Sequence, residues 1–258
     1  MLPLWYLSFI ILGSIVGSFL NAWIWRTRMG MSIVCGRSMC PHCHHELGFF
    51  DLIPIISFFI RKKTCHYCHQ KISWQYPFVE VSVAALFLFV AWVHADTAFQ
   101  LSFFMIKDLV VVTLLTVIFV YDFLYLEIWD RTTTIPALIL FPLSIFFGWV
   151  SWQSMLIGIG IGAGFFLLQY VVSKGKWVGG GDIRLGIFMG VVLGYPRVIL
   201  ALLFAYIIGA GISLLLIACK KKRLASETPF GTYLALGTCI ALFWGDRIID
   251  WYISLIGF

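Results

Sequence analysis

Apolar residues run along this chain in long blocks separated by short polar connections, a pattern that predicts helices rather than strands. The blocks fall at residues 4–25, 77–94, 101–121, 133–150, 153–173, 183–195, 197–219 and 230–245. A helix needs about 20 apolar residues to cross a hydrocarbon core about 30 Å thick. The pattern therefore predicts an all-α polytopic membrane protein with about eight transmembrane helices, the sixth being short for a full span. The first block has no basic residues ahead of it, and Arg26 and Arg28 follow it. It reads as a retained helix with its N-terminus outside, not as a cleaved signal.

Composition removes the soluble alternative. Hydrophobic residues make up 61% of the 258-residue chain and mean hydropathy is +0.97, so there is too little polar surface to cover a globule in water. A net charge of +6 would suggest nucleic acid in a soluble protein, but here the placement of the charges matters more than their sum, and no nucleic-acid partner is expected. With residues 26–76 in the cytoplasm, alternation puts fifteen of the 18 basic residues on that side, including Arg131, Lys174, Lys176, Arg184 and the run Lys220 to Arg223. Lys107, Arg197 and Arg247 fall elsewhere.

Residues 26–76 form the one sizeable polar segment and carry five of the seven cysteines. Within them Cys40-Pro-His-Cys43 is echoed by Cys65-His-Tyr-Cys68 at an offset of 25 residues. Two Cys-x-x-Cys knuckles supply the four thiolates of a tetrahedral structural zinc site. A pair of disulfides is the competing reading, but the charge bias assigns the loop to a compartment that keeps thiols reduced. His42, His44, His45, His66 and His69 are alternative ligands or supporting donors, with solvated loop histidines as the plain reading of each. Cys35 lacks a partner at ligand spacing, and Cys219 and Cys239 read as small hydrophobes. The apolar stretch Leu52 to Ile60 is too short to span and is expected to lie in the interface or to pack on the bundle.

Two carboxylates stand out in so apolar a chain. Asp122 closes the run Leu109 to Tyr121, and Asp182 follows Gly179-Gly180-Gly181 at the mouth of the sixth block. A charge beside hydrocarbon is costly and marks a functional site by default. Alternation brings both to the same membrane boundary, where a pair sharing one proton can hydrolyse a peptide bond. The three glycines remove side-chain bulk and permit positive φ, so a substrate backbone can come close to Asp182. Taken singly, Asp182 also reads as a helix N-cap and Asp122 as part of a polar loop with Glu127, Asp130 and Arg131. Lys107 and Asp108 read as an interfacial pair, and Asp246, Arg247 and Asp250 as solvated. Trp5, Tyr6, Trp149 and Trp152 suit interfacial belts.

These residues together resemble the bacterial prepilin peptidases, also called type IV leader peptidases, of the GxGD class of aspartic membrane proteases. The resemblance runs through Gly17-Ser-Phe-Leu-Asn21, Arg26, Ser38-Met-Cys-Pro-His-Cys43, Leu52-Ile-Pro-Ile-Ile-Ser57, the second knuckle, Tyr76-Pro-Phe-Val-Glu80, Asp122 and Gly179 to Asp182. It departs at Trp129-Asp130, where the family has Pro-Asp. It implies Asp122 and Asp182 as catalytic residues with Gly179 and Gly181 as motif glycines. It also implies cleavage of a basic leader from prepilins or prepseudopilins at the cytoplasmic face, then N-methylation of the new terminus with S-adenosylmethionine. Residues 1–95 would be the methylation-associated module and 96–258 the peptidase. Asn21, Arg26 and Glu80 are polar candidates for the cofactor, and Glu127 and Asp130 for the basic leader. The alternatives are a presenilin-like intramembrane protease, a proton-coupled transporter using the two aspartates, and a non-catalytic scaffold.

Overall fold

The computed structural model describes residues 2–95, 102–219 and 228–256. The basic run Lys220 to Arg223 lies outside the described residues. The chain divides into two compact units, Met1–Thr113 and Leu114–Phe258. The division falls within a single helix.

In the first unit, α1 (Leu2–Arg28) and α3 (Gln75–Val93) are long apolar helices. Their pairing follows a four-residue rhythm. A Cβ built on Gly13 would lie 2.7 Å from Ala84 Cα, one on Gly17 would lie 2.7 Å from Glu80 Cα, and Asn21 Nδ2 donates to Tyr76 O at 3.1 Å. Numbers that rise along α1 and fall along α3 make the pair antiparallel, and residues four apart share one face of a helix. Close backbone contact of this kind is how helices associate where no hydrophobic force separates them from lipid.

Between them lie a 3-10 turn (Phe49–Asp51) and the short α2 (Ile56–Ile60). Phe58 is buried against Trp74, with ring centroids 5.1 Å apart, while Phe59 and Ile60 are exposed. The stretch from Leu52 to Ile60 thus packs one side and presents the other, as an interfacial segment does. Lys107 and Asp108, early in α4 (Phe103–Tyr125), form the expected neighbouring pair, and both are buried. Asp108 accepts from Lys107 Nζ at 3.2 Å and lies 2.9 Å from His94 Nε2.

The second unit continues α4 and adds α5 (Asp130–Phe147), α6 (Trp152–Ser173), α7 (Gly180–Leu193), α8 (Arg197–Ala218) and α9 (Phe230–Ile256). Helix α6 opens on Ser151, whose hydroxyl accepts the Ser154 N–H. It then runs antiparallel to α7 with glycine facing glycine. A Cβ on Gly162 would sit 2.5 Å from Gly186 O, and one on Gly190 2.4 Å from Ile159 N, so neither helix tolerates a side chain there. Asp246 on α9 is not simply solvated, because Arg197 Nε donates to it at 2.6 Å, while Arg247 and Asp250 are exposed.

The molecule is all-α, as the apolar pattern predicts, with no strands among the described residues. Five described helices, α1, α3, α4, α6 and α8, are long and apolar enough to cross a membrane, against the eight expected. Three blocks fall short for separate reasons. The 14 residues of α7 rise only about 21 Å, less than a hydrocarbon core. Helix α5 begins with Asp130, Arg131 and three threonines, and α9 carries Asp246, Arg247 and Asp250.

Candidate active site

The repeat of 25 residues reappears as repeated geometry. The Cys40 N–H donates to His45 O at 3.0 Å, and the Cys65 N–H to Gln70 O at 2.9 Å. His44 and His69 turn back on their knuckle cysteines at φ of 55° and 57°. Isolated bridges Met39 to Glu46 and Thr64 to Lys71 close the two turns. Each knuckle thereby aims two sulfurs at one point. The Sγ atoms of Cys40, Cys43, Cys65 and Cys68 all lie within 4.8 Å of one another.

The Cys40 and Cys68 sulfurs are 3.9 Å apart. Tetrahedral zinc with bonds of about 2.3 Å needs sulfurs about 3.8 Å apart, so the cluster could hold such a metal. All four are free cysteines, and the cluster is made of cysteines alone. The five histidines His42, His44, His45, His66 and His69 are exposed around it. Burial would raise the Cys65 thiol, but N–H groups of Cys68 and Tyr67 and the neighbouring sulfurs bring it down to about 7. Burial raises Cys40, and Cys68, despite the Gln70 N–H, is pushed up to about 11 by burial and the neighbouring sulfurs. Cys65 is therefore the first of these three to give up its proton.

Beside this cluster, still within the first unit, is a cavity of about 130 Å³ lined by Asn21, Arg26, Cys40, Asp51, Tyr76 and Glu80 among others. It brings together the three residues expected at the cofactor site. Glu80 Oε2 accepts the Ile55 N–H at 2.7 Å. Arg26 donates to Ile33 O and Gly36 O, both at 2.9 Å. Sequence reading did not single out Ile55, which at φ 62° is held in a strained conformation for a branched residue.

In the second unit, Asp122 near the end of α4 and Asp182 in the first turn of α7 line one cavity of about 650 Å³. They are 4% and 8% exposed. Thr232, at the start of α9, donates its N–H to Asp122 Oδ2 at 2.7 Å and its hydroxyl at 3.1 Å. Asp182 is not the N-cap. Gly179 is, and its N–H donates to Asp182 Oδ2 at 3.0 Å. Burial lifts the Asp182 carboxyl to about 6, the Gly179 N–H opposing and the charge of Asp122 adding to the rise.

The glycines act by smallness rather than by handedness. Gly179 is extended at φ −82°, and none of the three has positive φ. A Cβ on Gly181 would press on Ile128 Cβ at 3.0 Å, whereas Gly180 faces open space. Ile128 also packs on Gly231, so one side chain braces the turns behind both aspartates. Glu127 and Asp130 line the same cavity, and Asp130 pairs with Arg184 across α5 and α7. Thr232 was missed in the sequence because it stands 110 positions from Asp122, and nothing local to either residue links them.

Comparison with known proteins bears on both units. Residues 11–94 match the bacterial peptidase A24 N-terminal domain, and residues 109–214 match the type IV leader peptidase family. A prepilin leader peptidase/N-methyltransferase of Bacillus subtilis is 33% identical, with 95% of this chain and 96% of that protein covered. One of Aeromonas hydrophila is 30% identical, with 98% and 96% covered. One of Pseudomonas aeruginosa is 27% identical, with 96% and 93% covered. No solved structure matches.

Proposed function

This chain belongs to the type IV leader peptidase family, and from that premise we propose that Asp122 and Asp182 are the acid–base pair with which it removes the leader from prepilin-like precursors. The chain is a membrane protease of the prepilin leader peptidase class, with relatives that are also named N-methyltransferases. The single observation that carries the assignment is the placement of two buried aspartates around one cavity in an apolar bundle. Family membership favours hydrolysis over the transporter and scaffold readings.

The hydrogen bonds divide the labour. Asp122 accepts two hydrogen bonds from Thr232 where Asp182 accepts one from Gly179, and on that difference Asp122 is assigned the base. Asp122 therefore takes a proton from the attacking water as the water oxygen bonds to the scissile carbonyl carbon. Asp182, protonated, donates to the carbonyl oxygen. Collapse of the tetrahedral intermediate returns that proton to Asp182, while Asp122 hands its proton to the departing amine as the C–N bond breaks. The uncrowded face at Gly180 gives an extended substrate backbone room beside Asp182.

Glu127 and Asp130, on the wall of the same cavity, are proposed to attract the basic leader, with part of the Asp130 charge already engaged by Arg184. The four-cysteine cluster is proposed to hold structural zinc. The cytoplasmic membrane, with the N-terminus outside and the aspartates facing the cytoplasm, is the location that the basic-residue bias supports. Residues 1–95 are assigned to methyl transfer and 96–258 to proteolysis.

S-adenosylmethionine is the methyl donor that the resemblance implies. The cavity at Asn21, Arg26 and Glu80 is smaller, at about 130 Å³, than pockets that enclose drug-sized ligands, so it does not enclose the whole donor. Co-expression with a prepilin tests the reading as a whole. Mass spectrometry should show loss of the leader and gain of one methyl group, and an unprocessed precursor would refute it.

A further inference from the structure

A residue on the wall of the first unit's cavity, Asn21, carries an unmet acceptor. Asn21 is 2% exposed, and its Oδ1 has no hydrogen-bond partner among the described residues. The amide orientation is not arbitrary, because the other end faces Tyr76 O at 3.1 Å and only an N–H can donate to a carbonyl. A buried carbonyl oxygen left without a donor costs about 1–3 kcal/mol, which points to a donor supplied from outside the chain. Glu80, 7% exposed, is the second acceptor on the same wall.

The helix register puts these two together. Gly17 and Asn21 share one face of α1, Tyr76 and Glu80 share one face of α3, and α1 touches α3 where Gly17 meets Glu80. The cavity's cationic groups are meanwhile turned onto protein acceptors. Arg26 faces Ile33 O and Gly36 O, and Arg61 pairs with Asp51 at 2.9 Å. A site whose arginines are engaged and whose acceptors include one carboxylate and one orphaned amide oxygen suits a small cation with N–H groups better than an anion.

We propose that Asn21 Oδ1 and the Glu80 carboxylate form an ammonium-binding subsite that takes the α-amino group of the cleaved pilin. This rests on the reading of the chain as an N-methyltransferase, and it assigns the cavity to the methyl acceptor instead of the donor. The volume agrees, since about 130 Å³ holds a chain end more readily than a nucleoside-bearing cofactor.

The test is binding to the full-length protein in lipid nanodiscs. The probe is a fluorescent peptide copying the first residues of a mature pilin, compared with its N-acetylated twin. The free amine should bind at least about tenfold tighter, a difference of about 1.4 kcal/mol. Glu80→Gln, which keeps an acceptor for the Ile55 N–H, and Asn21→Leu should each shrink that preference, with metal content unchanged as the check on folding. Equal affinity for the two peptides, absence of binding by both, or full preference in both variants would overturn the proposal. So would displacement of the free-amine peptide by S-adenosylmethionine in wild type but not in Glu80→Gln, which would give the cation site to the donor's sulfonium. Methyl transfer is followed in parallel. Transfer without amine preference would refute the subsite and keep the methyltransferase reading, while amine preference without transfer would uphold the subsite and refute that reading.

Discussion

Because Thr232 donates both its N–H and its hydroxyl to Asp122 while Gly179 donates its N–H to Asp182, the two carboxylates are inequivalent before any substrate arrives. A hydrogen bond to a charged group contributes about 1.5–3 kcal/mol. Thr232→Val, which keeps the N–H and removes the hydroxyl, should therefore lower kcat roughly tenfold or more with little change in KM. Thr232→Ser should restore most of the rate, and steady-state kinetics on the two variants checks both. The second expectation concerns pH. With Asp122 ionised first, the proton the pair needs resides on Asp182, whose carboxyl is held at about 6. It is present below that value and lost above it. The kcat/KM profile should accordingly fall as pH rises through about 6, rather than near 4 where an ordinary aspartate titrates. Measuring kcat/KM from pH 4 to 9 locates that limb.

At the scale of elements, the zinc-spaced module is the part that a sequence reveals best. Its ligands are two local knuckles, and the repeat that announces Cys40, Cys43, Cys65 and Cys68 in the chain also repeats their hydrogen bonds. Changing Cys65 to Ser should remove bound metal and open residues 26–76 to limited proteolysis, because metal affinity and local folding are linked. Elemental analysis and a protease time course check it. Other elements were less legible. The sixth apolar block folds as a helix of 14 residues, short as its run of apolar residues predicts, but its glycines face those of α6, a fit between two helices that no single window of sequence displays. Asp182 looks like a cap from its neighbours alone, yet it sits three residues inside the helix with Gly179 before it. The placement of Asn21 beside Glu80 likewise depends on the register of two helices more than fifty residues apart in the chain.

For the whole molecule, composition and the resemblance between motifs were enough to reach an all-α membrane protease, since hydropathy is a property of the entire chain. The contacts around Asp122 were not, because they join α4 to α9. Orientation can be tested directly. Cys35 is exposed and stands outside the metal cluster. In a variant with Cys219→Ser and Cys239→Ser, a membrane-impermeant thiol reagent should label Cys35 in inside-out vesicles and not in intact cells. Labelling of intact cells would invert the topology. The central claim, that Asp122 and Asp182 perform the cleavage, is tested most directly by the rate at which Asp122→Asn and Asp182→Asn process a prepilin in reconstituted membranes. Each substitution should reduce cleavage by roughly a thousandfold or more, since a proton-sharing pair fails when either member cannot ionise, with thermal stability and metal content preserved. Cleavage by either variant within a few-fold of wild type would contradict the account.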